Sequence, residues 1–309
     1  MSNWINRCHF GDCLETLRQM PDGIAQTCVT SPPYFNLRDY GHSGQIGLEA
    51  TPEQFIAALV AVFREVKRVL RDDGTCWINI GDSYAANRGY QVPDGKVGDV
   101  GNSKGSKVPD GCKPKDLIGI PWMLAFALRA DGWYLRQEII WAKPNPMPES
   151  VTDRCTKSHE SIFLLAKSEK YYFDNGAIKE DVSQSSVVRL QQDVEQQTGS
   201  DRVPGKTNGN MKAVGSMDKR NKRSVWTVAT TPYSGAHFAT FPTALIEPCI
   251  LAGAPAGAVV LDPFFGSGTT GQVAQNLGRK FIGCELNPSY KALQDERLCQ
   301  PSFEFLEAA

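Results

Sequence analysis

Five consecutive residues, Thr30-Ser31-Pro32-Pro33-Tyr34, combine the groups needed to grip a planar amine. Two prolines in a row fix φ and remove two backbone donors, and the first holds Ser31 extended. A rigid corner results, with two free carbonyls, a hydroxyl and an aromatic ring. Such a corner can accept two hydrogen bonds from an amino group while Tyr34 stacks on a flat ring. The ordinary alternative is a Pro-Pro turn closing a strand. Upstream, Gln26-Thr27-Cys28-Val29 reads as a short apolar strand, so the corner falls at a strand end.

The second stretch with chemical content runs from 258 to 285. Ala258-Val259-Val260-Leu261 reads as a buried strand, followed by Asp262-Pro263-Phe264-Phe265-Gly266-Ser267-Gly268-Thr269-Thr270 and a helix to Leu277. A strand, a tight glycine turn and a helix N-terminus make a cradle for a nucleotide-like ligand or a carboxylate. Lys280 to Cys284 is another strand, and Glu285 at its tip stands where an acid would hold ribose hydroxyls. Three nucleotide readings compete. A P-loop needs Gly-Lys-Ser/Thr, whereas this loop has Gly-Thr-Thr. Gly266, Gly268 and Gly271 satisfy Gly-x-Gly-x-x-Gly, so the glycines alone leave NAD open. Asp262 lies near where a pyrophosphate would, and an acid there suits a cofactor with a free ammonium, such as S-adenosylmethionine.

Positioning both stretches requires an open sheet. Trp4 to Phe10 reads as a strand leading to Gly11-Asp12, and an acid just past a strand end can meet a ligand at the sheet rim. A helical segment, Cys13 to Met20, reaches the turn Pro21-Asp22-Gly23. Thr51-Pro52-Glu53 opens a helix with an N-cap, a proline at the first position and an acid in the first turn. Its apolar set, Phe55, Leu59, Val62, Phe63, Val66 and Leu70, marks one buried face, and Asp72-Asp73-Gly74 is expected to end it. Thr75 to Ile80 follows as a buried strand. Strand, helix and strand in alternation imply a right-handed parallel layout. A further helix begins at Ile120-Pro121, and strands are expected at 134–141 and 161–167.

Two segments look unlike the rest. Residues 86–116 are rich in Gly, Lys and Asp, with Val-Pro-Asp-Gly at 92–95 and 108–111, and read as a long mobile loop. From about Asp174 to Thr230 Gln, Ser, Asn and Lys dominate, and the basic run Lys219-Arg220-Asn221-Lys222-Arg223 appears. A solvated loop is the ordinary account of such a run; a module gripping phosphates is the functional one.

Composition sets outer limits. A chain of 309 residues, 41% apolar and 22% charged, has the make-up of a globular protein. A net charge of −1 gives no overall pull toward nucleic acid, so any DNA contact rests on a local basic patch. Nine scattered cysteines without a Cys-x-x-Cys pair, and no signal-like start, suggest reduced thiols in a cytoplasmic protein with no membrane span. With four histidines and no ligand spacing, no metal site is expected.

Taken together, the chain resembles the S-adenosylmethionine-dependent DNA amino-methyltransferases. Asp262 to Thr270 resembles their motif I and Ser31 to Tyr34 their catalytic motif IV. Gly11-Asp12 is similar to motif III, Phe281 to Glu285 to motif II, and His237 to Pro242 with its helix to motif X. Ser158-His159-Glu160 is similar to a segment of the family's catalytic half and receives no role. The order, with the catalytic corner first and the cofactor loop last, is that of the family's β group. It implies an open, mostly parallel, doubly wound α/β sheet with circularly permuted motifs and an inserted target-recognition region. Residues 1–173 would form the catalytic half, 174–235 the recognition insertion and 236–309 the cofactor-binding half. Asp12 and Glu285 should then flank one cofactor.

The resemblance also implies roles. Asp262 and the turn Phe264, Gly266, Ser267, Gly268 and Thr269 would hold the methionine part of S-adenosylmethionine. Glu285 would take the ribose hydroxyls and Asp12 the adenine amine, with Phe241 and Pro242 lining the pocket. Asp12 and Glu285 as helix caps, and Phe241 as plain core, are the ordinary alternatives. Ser31, Pro32, Pro33 and Tyr34 would act on an amine of a base flipped out of double-stranded DNA. Within the family Ser-Pro-Pro-Tyr favours cytosine N4 and Asp-Pro-Pro-Tyr adenine N6, although both residue types can accept amino hydrogens. Lys219, Arg220, Lys222 and Arg223 would contact DNA. A homodimer and an accompanying restriction endonuclease, a genetic rather than a physical partner, are expectations of the resemblance alone. A carbon-5 cytosine enzyme would need a thiolate, and the only Pro-Cys, Pro248-Cys249, sits in an apolar helix. An inactive DNA-binding protein on this fold, a nicotinamide enzyme and an RNA substrate remain the other readings.

Overall fold

The computed structural model describes residues 3–42, 44–85, 108, 109, 111–183, 187, 188, 218–230 and 241–299. The His237–Thr240 part of the motif X segment, and most of the 86–116 loop with its first Val-Pro-Asp-Gly, lie outside the described residues. The chain forms two compact units, one of Met1–Asp174 with Ser224–Ala309, the other of Asn175–Arg223.

In the larger unit the strands are β1 (Arg7–Phe10), β2 (Ala25–Thr30), β3 (Leu70–Ile80), β4 (Tyr134–Ala142) and β5 (His159–Ala166). Two short strands, β6 (Glu180–Asp181) and β7 (Lys219–Arg220), belong to the smaller unit. Strands β8 (Val225–Thr227), β9 (Val259–Asp262) and β10 (Lys280–Glu285) complete the larger one. Its strands line up as β1-β10-β9-β2-β3-β5-β4-β8. Pairing is parallel from β1 to β3 and between β4 and β8, and antiparallel where β5 sits between β3 and β4. The sheet is thus open and mostly parallel, as expected.

Helices cover both faces. Helices α1 (Cys13–Gln19), α2 (Pro52–Val69) and α3 (Ile120–Ala130) pack side by side. Alternate strand residues, among them Cys28, Ile78, Ile80, Leu261 and Ile282, join their core. Helices α4 (Thr243–Gly253), α5 (Thr269–Asn276) and α6 (Lys291–Cys299) form the other layer. There Gly253 approaches Thr27, Thr75 and Trp77 so closely that a Cβ would lie 2.6 Å from the Thr27 hydroxyl.

The start of α2 follows its sequence: Thr51 Oγ accepts from Gln54 N and Pro52 opens the helix. Its end does not. Leu70 is already extended and fully buried, and β3 runs straight on from it. Asp72-Asp73-Gly74 is therefore no helix stop but an irregularity inside a strand, where the pairing moves from Ala25–Leu70 to Thr27–Thr75. Burial of Leu70 at the sheet outweighs the local turn signal, and the Gln26 amide donates to Asp73 at 3.0 Å to hold the bulge.

Strand β8 also departs from composition. Trp226 is buried and β8 extends the large sheet beside β4, so Ser224–Thr230 belongs with the main unit. Within the smaller unit, β6 and β7 pair as a two-stranded antiparallel ladder. No helix among the described residues is long and apolar enough to cross a membrane.

Candidate active site

Strands β2 and β9 are direct neighbours, with Cys28 opposite Leu261. From β9 the chain moves outward to β10, and from β2 it moves outward the other way to β3, so the order reverses between them. Ligands of open α/β sheets bind at such a reversal, outside the carboxyl ends of the strands. The proline corner and the glycine turn are those ends. Thr30 Oγ1 donates to Asp262 Oδ1 at 2.5 Å, joining residues 232 positions apart.

A cavity of about 880 Å³ opens here. Ser31, Pro32, Pro33 and Tyr34 line one side, while Asp262, Phe264, Gly266, Ser267 and Thr269 line the other. Asp12, Glu285 and Phe241 also reach it. Pro242 and Gly268 stand behind the wall: Pro242 is buried as the residue preceding α4, and Gly268, at φ +89, caps α5. The basic run is not among the lining residues and belongs to the smaller unit.

The glycine turn is wired from within. Asp262, 2% exposed, accepts from Thr30, from Thr270 Oγ1 at 2.7 Å and from Phe264 N at 3.0 Å. Burial raises its pKa to about 6 despite these donors. Glu285 accepts from Gly266 N and Asn287 N, each at 2.8 Å, and burial raises its pKa as well. From α6, Gln294 donates to the Gly266 carbonyl at 2.6 Å and Arg297 to the Thr269 hydroxyl.

The glycines divide the work. Gly266 and Gly268 take left-handed φ values of +53 and +89 that bend the turn. Gly271 and Gly283 instead make room for Phe265, whose ring would come within 2.6 Å of a Cβ at either position. Phe265 stacks on Phe281 at 5.4 Å. The third glycine of the apparent dinucleotide pattern thus serves aromatic packing.

Asp12 is a helix cap that also reaches the cavity. Its Oδ1 caps α1 by accepting from Glu15 N at 2.9 Å, and its carboxylate lines the cavity. Phe10 pairs with Glu285 in register, which brings Asp12 and Glu285 to the same rim. Cys249 is buried in α4 with its thiol on the Leu245 carbonyl, so it is core.

At the corner, the Tyr34 hydroxyl donates to Glu160 at 2.5 Å, and burial with the Glu160 charge raises the phenol pKa. Asn79 and Lys143 complete this cluster. Sequence reasoning missed Asn79, Lys143, Gln294 and Arg297, and left Glu160 without a role. A polar residue at the tip of an apolar strand was the available signal for Asn79 and Glu160; α6 offered none.

In the smaller unit, Lys219 pairs with Asp181, while Arg220 and Arg223 share Glu180. Two acids that the sequence places some 40 residues earlier thus pair with three of the run's cations and offset about half of its charge.

Whether the cavity fits S-adenosylmethionine can be read from its polar groups. Ser267 Oγ is buried on the wall without a hydrogen-bond partner in the protein. An acid stands at each neighbouring strand end, and half-buried Phe241 and Phe264 add apolar surface. These residues suit a ligand with an ammonium, ribose hydroxyls and a flat base.

Known proteins share this architecture. PvuII DNA methyltransferase (cytosine-N4-specific) superposes with a TM-score of 0.64 at 18% identity, covering 96% of this chain and 86% of its own. TTHA0409 from Thermus thermophilus, determined with S-adenosyl-L-methionine, gives 0.57 at 24% identity, covering 95% and 94%. The fold is that of the DNA methyltransferases. In sequence, the Type II methyltransferase M.Cfr9I of Citrobacter freundii is 52% identical over 289 residues, spanning 93% of this chain and 86% of that enzyme. The DNA methylase (N6_N4_Mtase) profile matches residues 25–296. The chain belongs to the N6/N4 DNA methylase family.

Proposed function

We propose that this DNA methyltransferase acts on the exocyclic amine of a base flipped out of duplex DNA, with cytosine N4 as acceptor. The observation that carries the reading is the Thr30–Asp262 hydrogen bond, which sets the two motifs side by side on one cavity. S-adenosylmethionine is the cofactor and supplies an electrophilic methyl group.

An exocyclic amine is a poor nucleophile because its lone pair is delocalised into the ring. Ser31 Oγ and the Pro32 carbonyl each accept one N–H, which draws the nitrogen toward tetrahedral geometry and frees the lone pair. Tyr34 stacks on the base, and its π-face steadies the developing positive charge. No covalent link to the enzyme is needed, and the nitrogen would shed one of its two protons to solvent once it carries the methyl. Flipping the base costs roughly a few kcal/mol, offset by contacts to the DNA backbone.

Asp262 acts chiefly by shaping the turn, since its oxygens already have internal donors. Its charge still favours an ammonium nearby. The turn backbone and Ser267 hold the amino-acid end of the cofactor, Glu285 the ribose hydroxyls and the free oxygen of Asp12 the adenine amine. Phe241 closes a side. The smaller unit, with Lys219, Arg220, Lys222 and Arg223, meets the DNA and contributes recognition. The Type II relative supports a restriction-modification setting, in which an endonuclease shares the DNA site rather than a protein contact.

The preference for cytosine rests on Ser31 at the first position of the corner and is supported by the cytosine-specific structural neighbour. The test is to incubate the protein with methyl-labelled cofactor and DNA, digest to nucleosides and separate them. N4-methylcytosine is expected. Label found only in N6-methyladenine would overturn the choice of base, and DNA without label would overturn catalysis.

A further inference from the structure

Glu160 takes no part in the reaction described above, yet three other, separated pieces of chain meet at it. Its Oε2 accepts from the Tyr34 hydroxyl at 2.5 Å and from Asn79 Nδ2 at 3.1 Å. Its Oε1 accepts from Lys143 Nζ, which itself lies 4.2 Å from the Trp141 ring centroid. The side chain is 14% exposed and stands on the cavity wall. A phenol donating to a carboxylate at this distance makes a charge-assisted bond, roughly twice as strong as a neutral one.

On the ring itself a second contact acts. A Cβ at Gly81 would lie 2.5 Å from Tyr34 Cε2, so the ring packs directly on the Gly81 backbone. Both contacts matter because the two prolines stiffen only the main chain. The tyrosine side chain keeps its own χ rotations, which rigid proline rings at 32 and 33 do not fix.

We propose that Glu160 and Gly81 form a clamp that sets the plane of the Tyr34 ring before DNA arrives. Glu160 is then a positioning residue, acting through the phenol, and Asn79 and Lys143 keep its carboxylate in place. The inference rests on Tyr34 as the stacking residue. Small displacements in a reacting pair are costly, about 100-fold for 1 Å, so a loose ring would slow transfer without changing cofactor affinity.

A double-mutant cycle tests it, read by single-turnover methyl transfer to DNA with saturating cofactor. Tyr34→Phe and Glu160→Leu should each lower the rate by about 10- to 100-fold, with cofactor Kd unchanged by calorimetry. The double variant should fall no further than the slower single, because both remove the same phenol–carboxylate bond. Glu160→Gln, which keeps an acceptor for the phenol, should recover most of the rate. Gly81→Ala should slow transfer without removing any charge. Multiplying losses in the double variant, or Gly81→Ala at the wild-type rate, would overturn the clamp while leaving catalysis intact. Wild-type protein that transfers no methyl would overturn both.

Discussion

The glycine turn and the proline corner face one cavity but are built on opposite plans. The turn is held by buried polar bonds of its own: Asp262, Glu285, Gln294 and Arg297 each fix one of its groups. The corner has removed two of its backbone donors and keeps its carbonyls for an outside partner. Its ties are made by side chains, Thr30 on Asp262 and the Tyr34 phenol on Glu160. The difference teaches where each site stores its hydrogen-bonding capacity. On the proposed assignment, a cofactor site seen by the same small molecule at every turnover can spend that capacity on rigidity, whereas a site for an extruded base must keep acceptors open.

The contrast breaks most visibly at Ser31. Ser31→Ala should lower the single-turnover rate by ~10²- to 10³-fold, with thermal midpoint and cofactor Kd unchanged; a shift in either would mean that the corner, too, is a structural assembly. Asp262→Ala should do the reverse and strike the fold. It leaves the Thr30 hydroxyl and the Phe264 amide without an acceptor in a buried site, and Thr270 with only the Val29 carbonyl at 3.4 Å, at a cost of roughly 3 kcal/mol. Differential scanning calorimetry should show a midpoint about 5 °C lower.

Acid sharpens the same distinction. The Asp262 pKa rises from 3.8 to about 6, so in that window the folded protein binds more protons than the unfolded one. Its contribution therefore makes the ligand-free protein less stable as pH rises from 3.8 to about 6. Cofactor affinity should move the other way, because the ionised carboxylate favours an ammonium. Titration calorimetry should show Kd tightening about tenfold between pH 5 and 7 and then levelling; a flat profile would put the acid out of range of the ligand.

Smaller effects come from the periphery. Gln294→Leu removes the brace on the Gly266 carbonyl and should weaken cofactor binding roughly five-fold, leaving the saturated rate alone. In the smaller unit, Glu180→Gln frees Arg220 and Arg223 from their shared partner. The slope of log affinity for DNA against log salt should then steepen by about one unit, and an unchanged slope would remove both arginines from the DNA contact.

Much of this site was legible because its determinants are local. The Ser31–Tyr34 corner and the Asp262–Thr270 turn each carry their geometry within a few residues. Thr51-Pro52 likewise announces α2 without help from the rest of the chain. What escaped depends on distant partners. Glu160 acquires meaning only beside Tyr34, 126 positions away. Gly271 reads as part of a dinucleotide fingerprint until Phe265 is seen to occupy the space it vacates. Asp73-Gly74 looks like a helix stop because the burial of Leu70 against the sheet cannot be read from its neighbours.

The strand order carries one more consequence, concerning synthesis. Strands β9 and β10 insert between β1 and β2, yet they leave the ribosome after all the other described strands. During translation β1 and β2 therefore have no bridge between them, and their facing edges stand open to stray pairing. The nascent protein should bind a chaperone, and resist proteolysis poorly, until β10 emerges; release of chains stalled before and after that point would show when the sheet closes.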